Sequence, residues 1–359
     1  MNLTIIGTGH GGCAAAAYYA MRGFNITLLK MGSHSHESNF EMLEQTKEIR
    51  LEGILGEGTY QLADVTRDVE GALKDADVIL VFYVSLYHGY LAQRLAPYFK
   101  DGQVVYICPG YAGSLLFRKA MNNANNKSKV IFVEGETLMF SSRIVKPGAV
   151  CIFSSNHGHP IAALGKHSFK EIIRVLPPVP GEWIERENVF EIALHNPNLI
   201  MHTVGITMNA GCIESAAGSF SMYAEGFTPS IWKIVNELDG EKMAVLKAIG
   251  AKPRSYFEEF MVRTFENPDD YTNKEGFKLY AEHVEGLKTS SVDNRYITED
   301  VPKGLGLLHV LGANLNIPTP VCDSIITLAG VMIGTDYFKE IEEYWDIEFD
   351  DVDELLERV

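Results

Sequence analysis

The first half of the chain alternates apolar runs with stretches of helical spacing. Leu3–Ile6, Asn25–Lys30, Val78–Val84, Val104–Cys108, Val130–Glu134 and Val150–Ser154 are short and mostly apolar. Between them lie the alanine-rich Cys13–Arg22, then Leu86–Phe99 and Ser114–Asn122. An apolar run without alternation predicts a strand covered on both faces, and an intervening helix predicts a parallel neighbour, because parallel strands need a long crossover. The first half is therefore expected to be a doubly wound α/β domain with a parallel sheet.

The pattern changes at Pro177-Pro178-Val179-Pro180-Gly181, where proline and glycine punctuate the chain. Beyond it Asn196–Ala216, Ile231–Ile249, Pro253–Glu266 and Thr319–Ile333 carry apolar residues at three- and four-residue spacing. The expected division is an α/β domain over residues 1–178 and an all-helical domain over 179–359. Two domains also suit the 359 residues, since domains commonly run to roughly 100–200. The acids of Glu340–Val359 read as a solvated helical face.

Composition narrows the partners. The formal net charge of −16 repels phosphate backbones and anionic lipid, so neither nucleic acid nor a membrane surface is expected as a partner. No run approaches the roughly 20 apolar residues that span a bilayer, and no signal peptide is recognised, so a soluble, cytoplasmic protein is expected. The five cysteines are scattered, without metal or redox spacing, and read as buried, reduced thiols. His34/His36 and His157/His159 are His-x-His pairs without an obvious third ligand, so no metal site is expected. The acidic C-terminus leaves a homodimer open.

The first run leads directly into Gly7-Thr8-Gly9-His10-Gly11-Gly12 and then into the alanine-rich helix. G-x-G-x-x-G between a strand and a helix is a dinucleotide fingerprint. Gly7 permits the tight turn, Gly9 lets a pyrophosphate approach the backbone, and Gly12 lets helix and strand pack closely. The helix N-terminus adds free N–H groups and the positive end of a dipole. A tight turn without a ligand is the alternative. The domain is thus expected to be of Rossmann type, binding a nicotinamide cofactor. Lys30 stands at the end of the second run, where NAD enzymes place an acid, and no Asp or Glu occurs before Glu37. Lys30, with Ser33 and His34 behind it, favours the 2′-phosphate of NADP(H), with NAD(H) possible. A merely solvated Lys30 is the alternative.

In the helical half, Asn198, His202, Gly205 and Asn209 recur at four, three and four residues on an otherwise apolar segment. On one helix they share a face, and a polar face among apolar residues must be satisfied or must line a cavity. Gly205 would leave room beside His202. Histidine is suited to proton transfer near neutral pH. A core histidine bonded to a carbonyl is the alternative. In the later segment Asp293–Pro302, Arg295 is a candidate carboxylate clamp and Asp300 a candidate partner for an imidazole. An ordinary surface loop is the alternative, and spacing alone does not bring Asp300 to His202.

Together these stretches resemble the octopine/nopaline, or opine, dehydrogenase family over nearly the whole chain. The resemblance is carried by Cys108-Pro109-Gly110-Tyr111-Ala112-Gly113, by Glu134-Gly135-Glu136-Thr137 with Arg143, by Asn196-x-Asn198-x-x-x-His202 through Asn209, by Glu225–Ser230, and by Arg295-Tyr296-x-x-Glu299-Asp300. It implies His202 as the catalytic histidine, Asp300 as the acid coupled to it, and Arg295 as a substrate arginine. Asn198, Asn209 and Tyr296 are then expected at the substrate, and Pro109, Gly110 and Glu134 beside the cofactor. His195 does not fall on the catalytic position. Thr203 stands where the family pattern has proline, a departure that bears on the substrate pocket. The implied reaction is reductive condensation of an amino acid, or another amine, with a 2-keto acid such as pyruvate, and its reverse. A simple 2-keto or 3-hydroxy acid reductase of a related two-domain family, and a non-enzymatic nucleotide-binding protein, are the other readings.

Overall fold

The structure, a computed structural model, describes residues 1–32 and 35–345. Ser33, His34 and the acids beyond Trp345 lie outside the described residues. The chain divides into two compact units, Met1–Ile192 and the residues from Ala193 onward.

In the first unit the strands are β1 Asn2–Ile6, β2 Asn25–Leu29, β3 Glu48–Gly53, β4 Gly58–Gln61, β5 Asp64–Thr66, β6 Val78–Val81, β7 Val104–Ile107, β8 Ile131–Gly135, β9 Phe140–Lys146, β10 Ala149–Ser155, β11 Gly158–Ala163 and β12 Glu182–Glu185. Eight of them form one sheet in the order β12-β11-β8-β7-β6-β1-β2-β5. All its pairings are parallel except β11 with β8. The chain runs outward from β1 through β2 to β5, then returns to place β6 on the other side of β1. That reversal between β1 and β6 is a topological switch point, where the loops at the carboxyl ends of the strands part and leave a crevice.

A second sheet has the order β4-β3-β10-β9. Helix α1, His10–Met21, packs against strands of both sheets. This explains its composition. A helix enclosed on all sides needs small apolar residues, and Ala14, Ala15, Ala16 and Ala17 are fully buried. The run Val150–Ser154, expected in the parallel sheet, forms β10 of this second sheet instead. Only one of its faces is covered: Val150 and Ile152 are buried, whereas Phe153 is exposed. The break expected at 178/179 is also corrected. The chain pairs once more with the large sheet through β12 before the first unit closes at Ile192.

The second unit is helical, with Asn198–Thr207, Ala210–Ser215, Pro229–Ala248, Tyr256–Thr264, Asn273–His283, Arg295–Thr298, Gly306–Asn314, Pro320–Ile333 and Tyr337–Tyr344 as its main helices. The single helix expected over Asn196–Ala216 is two helices that break at Met208 and Asn209. The helix carrying His202 packs against Pro229–Ala248, Pro320–Ile333 and Arg295–Thr298. Leu199, Val204 and Ile206 are fully buried there, each burial contributing about 2 kcal/mol. A π-helical turn, Val301–Leu305, follows Asp300. A Cβ on Gly304 of that turn would come within 3.1 Å of the Leu199 side chain, so glycine allows the turn to lie close against the His202 helix.

Candidate active site

The glycine turn is built as the backbone requires. Gly7 has φ +118°, and a Cβ there would meet the Phe82 carbonyl oxygen at 2.3 Å. A Cβ on Gly12 would meet the Gly7 carbonyl oxygen at 1.8 Å. Both positions are closed to any side chain. Gly9 differs: among the described residues, a Cβ there would meet only the His36 ring, at ordinary contact distance of 3.7 Å. The protein leaves that position open on the side where a phosphate would approach. A cavity of about 240 Å³ adjoins it, lined by Gly7, Thr8 and Gly9 after β1, by Phe82 and Tyr83 after β6, and by Lys30. This is the crevice at the switch point. With the N-terminus of α1 beside it, the positive end of the helix dipole, it fits the pyrophosphate and adenosine half of a dinucleotide.

Several residues expected at the cofactor do other work. The His10 Nδ1 accepts a hydrogen bond from the Ile144 N–H at 3.0 Å, and the His10 carbonyl accepts one from Ser142 Oγ at 3.2 Å. His10 thereby ties β9 to the start of α1. Gly11 faces Leu138, with 3.4 Å left for a Cβ. Glu134 is fully buried; its carboxylate accepts the N–H groups of Ala112 at 2.9 Å and Ser114 at 2.8 Å. It caps the helix Gly113–Asn123, with burial pushing its carboxyl up to about 7 against those bonds. Gly110 is required by that cap, since a Cβ would strike Glu134 Oε2 at 2.1 Å. Pro109 is half-buried in the same loop. Lys30 is not a solvated strand end. Its side chain is 2% exposed, and Nζ donates to the Ser35 carbonyl at 2.6 Å.

In the second unit, His202 and Asp300 meet. Nδ1 of His202 lies 2.7 Å from Asp300 Oδ2, across 98 residues of sequence. An ionised carboxylate only accepts, so Nδ1 carries the proton and Nε2 keeps its lone pair. Both side chains are almost wholly buried. Burial lowers the His202 pKa below its ordinary 6.5, and the Arg295 charge adds to this, while the bond and charge of Asp300 oppose it. The imidazole is thus held neutral, oriented, and ready to take a proton at Nε2. Tyr296 lies flat on the imidazole, centroids 3.6 Å apart and planes 14° apart. That face of Tyr296 holds the ring in place and would stabilise an imidazolium through its π-face.

Arg295 is 57% exposed and 3.5 Å from Glu299, so its guanidinium stays accessible. Asn198 is half-buried, its N–H bonded to Asn196 Oδ1. Asn209 does not share the His202 helix. It precedes the next helix, and its Nδ2 donates to the carbonyls of Gly205 at 2.8 Å and Gly226 at 3.2 Å, which fixes the helix break. The room expected beside Gly205 is filled by Met222 and Phe227. Thr203, in the place of the family's proline, bonds back to the Leu199 carbonyl at 2.6 Å and stays within the helix. His195 is fully buried, 3.9 Å from Glu259. Sequence reasoning noted Glu37 only as the first acid after β2 and passed over Arg67 and Tyr83. Glu37 and Arg67 form an ion pair, and Tyr83 lines the cavity. Of the cysteines, Cys13, Cys108 and Cys322 are buried, but Cys212 is exposed.

A dinucleotide crevice in an α/β unit and a buried His–Asp pair in a helical unit define a nicotinamide-dependent oxidoreductase. Comparison with known proteins narrows this. The family description "NAD/NADP octopine/nopaline dehydrogenase, alpha-helical domain" matches residues 185–333. An opine dehydrogenase of Arthrobacter sp. (strain 1C) is 30% identical over 338 residues, 94% of this chain and 92% of that protein. A solved octopine dehydrogenase in complex with NADH and agmatine superimposes with a TM-score of 0.81 at 17% identity, covering 99% of this chain and 98% of the other. A yersinopine dehydrogenase with NADP+ bound gives 0.71 at 14% identity, covering 100% and 97%. The chain belongs to the opine dehydrogenase family, and it is an NAD(P)-dependent oxidoreductase acting on CH–NH donors.

Proposed function

We propose that this enzyme joins an amino acid, or another primary amine, to a 2-keto acid such as pyruvate and reduces the imine to a secondary amine. The observation that carries the reading is the His202–Asp300 contact, which supplies a neutral, tautomer-fixed base among buried residues. Nε2 of His202 takes and returns protons as the amine adds to the keto carbon and water leaves. In reverse it activates the water that hydrolyses the imine. Asp300 holds the tautomer and stabilises the imidazolium while it exists. Arg295, exposed and fork-shaped, binds a substrate carboxylate by two parallel hydrogen bonds. Asn198, half-buried four residues before His202, is a further polar group for the substrate. When bound, the reduced nicotinamide supplies the hydride.

For the cofactor, NADP(H) is the preferred form in this reading. Lys30, through its own engagement, carries less of that preference than an exposed strand-end cation would. Arg67, 44% exposed, stands with it. The test follows oxidation of NADPH with a panel of 2-keto acids, each with and without a panel of amino acids and amines. Oxidation that requires an amine supports the proposal. Equal rates with and without any amine identify a simple keto-acid reductase, and no turnover with any pair leaves a nucleotide-binding protein.

A further inference from the structure

Three charged side chains converge where β2 ends. β2 and β5 are parallel neighbours with Leu29 opposite Thr66, so the residues that follow, Lys30 and Arg67, emerge side by side. Glu37, in the first turn of the helix Glu37–Thr46, stands between them. Its Oε1 accepts a hydrogen bond from Arg67 Nη2. Its Oε2 is 3.5 Å from Lys30 Nζ and, among the described residues, makes no hydrogen bond. One turn on, Phe40 supports both cations, with Arg67 Cζ 4.4 Å and Lys30 Nζ 5.6 Å from its ring centroid. Lys30 is also a wall of the cavity that the glycine turn opens into.

The cluster contains two cations and one carboxylate, and this composition serves either of two ligands. A ribose 2′-hydroxyl donates a hydrogen bond and needs an acceptor, which the partly exposed Glu37 carboxylate offers. A 2′-phosphate brings nearly two negative charges, needs the cations and repels the carboxylate. Glu37 is 35% exposed, so its side chain has solvent to turn into when a phosphate arrives. We propose that Glu37 is the residue that decides between NAD(H) and NADP(H), and that the enzyme binds both on the same three side chains. Arg67, and after it Lys30, keeps the Glu37 carboxyl below its usual range, so it is ionised at neutral pH and opposes phosphate throughout. This keeps the preference for NADP(H) small. The proposal rests on the reading that the switch-point cavity takes a nicotinamide dinucleotide.

Direct titration of the purified enzyme with NADH and with NADPH, read by nucleotide fluorescence, tests it without turnover. Wild-type affinities should differ by less than about tenfold. Glu37→Gln removes the charge at constant shape and should raise the NADPH-over-NADH ratio by about tenfold. Arg67→Gln should lower it by about as much, with NADH affinity nearly unchanged. The proposal is overturned by a wild-type discrimination above about a hundredfold, or by Glu37→Gln and Arg67→Gln proteins, folded by circular dichroism, whose ratios stay within about twofold of wild type. The two proposals fail separately. A shifted ratio in an enzyme with no amine-dependent turnover upholds Glu37 and sinks the condensation reading. Amine-dependent turnover with an unshifted ratio does the reverse.

Discussion

The glycine turn of the first unit and the histidine pair of the second are built from opposite materials. The turn works by what is absent: Gly7 and Gly12 have no room for a side chain, and Gly9 has room that the protein leaves unused. All three lie within six consecutive residues, because a strand-to-helix turn is local. The His202 site works by side chains brought together from 98 residues apart, held by helix packing and a π-turn that glycine lets approach. One region should therefore fail in ligand affinity and the other in turnover, and substitutions can separate the two.

The largest effect is expected at His202. His202→Ala should lower turnover by roughly 100- to 10,000-fold, the scale of a lost acid–base group, with dinucleotide affinity hardly changed. Steady-state kinetics beside nucleotide titration checks both halves. A large loss of nucleotide affinity would break the comparison.

Gly9→Ala is the converse. Among the described residues its new Cβ meets only the His36 ring, at 3.7 Å, so thermal stability should stay within about 2 °C of wild type. The methyl would nevertheless stand where a phosphate must approach, so dinucleotide binding should weaken by about ten- to a hundredfold. A destabilised protein with intact binding would show that Gly9 serves the fold alone.

Asp300→Asn should cost less than His202→Ala, and the double variant should be no worse than His202→Ala alone, because the two act as a unit. Its more telling effect is on pH. In the oxidative direction the base must be neutral, so activity falls as pH drops through the His202 pKa. Burial sets that limb below 6.5. Asp300 is the cause that raises the pKa, so Asp300→Asn should move the limb further toward acid. Arg295 lowers it, so Arg295→Gln should move the limb upward while weakening keto-acid binding. A limb that stays fixed in both variants would mean that another group titrates.

His195→Ala gives the smallest change in turnover. His195 is fully buried beside Glu259, which also lies 3.4 Å from Arg254, so removing it disturbs a buried charged cluster. Melting should drop by about 3–8 °C while the folded enzyme keeps most of its turnover. Strong loss of turnover without loss of stability would mark His195 as a second catalytic residue.

The same contrast explains what could be read from the chain alone. Strands, the glycine turn and the helical second half are written in contiguous patterns. Strand β10 was misplaced because Cys151 and Phe153, on its less covered face, are apolar and hide the alternation of a one-faced strand. Strand β12 was missed because an edge strand flanked by Glu182 and Glu185 does not read as one. Lys30 and Glu134 show the limit for charges. A cation at a strand end reads as a phosphate ligand or as a solvated charge, and Glu134 was placed beside the cofactor by the family resemblance alone. Burial and partners, which sequence does not carry, turn the first into an anchor for the Ser35 loop and the second into a helix cap. Asp300 was a candidate imidazole partner from the residues, but only the family resemblance joined it to His202, since no spacing rule does.

The central claim is that a new carbon–nitrogen bond is made and then reduced. It is tested most directly by the product itself. The enzyme is incubated with pyruvate, an amino acid it accepts and reduced cofactor deuterated at the transferable C4 position, and the product is weighed by mass spectrometry. The account predicts one secondary amine containing both carbon skeletons, joined with loss of water, with a single deuterium on the carbon that was the keto carbon. Deuterated 2-hydroxy acid, with the amino acid recovered unchanged, would contradict it.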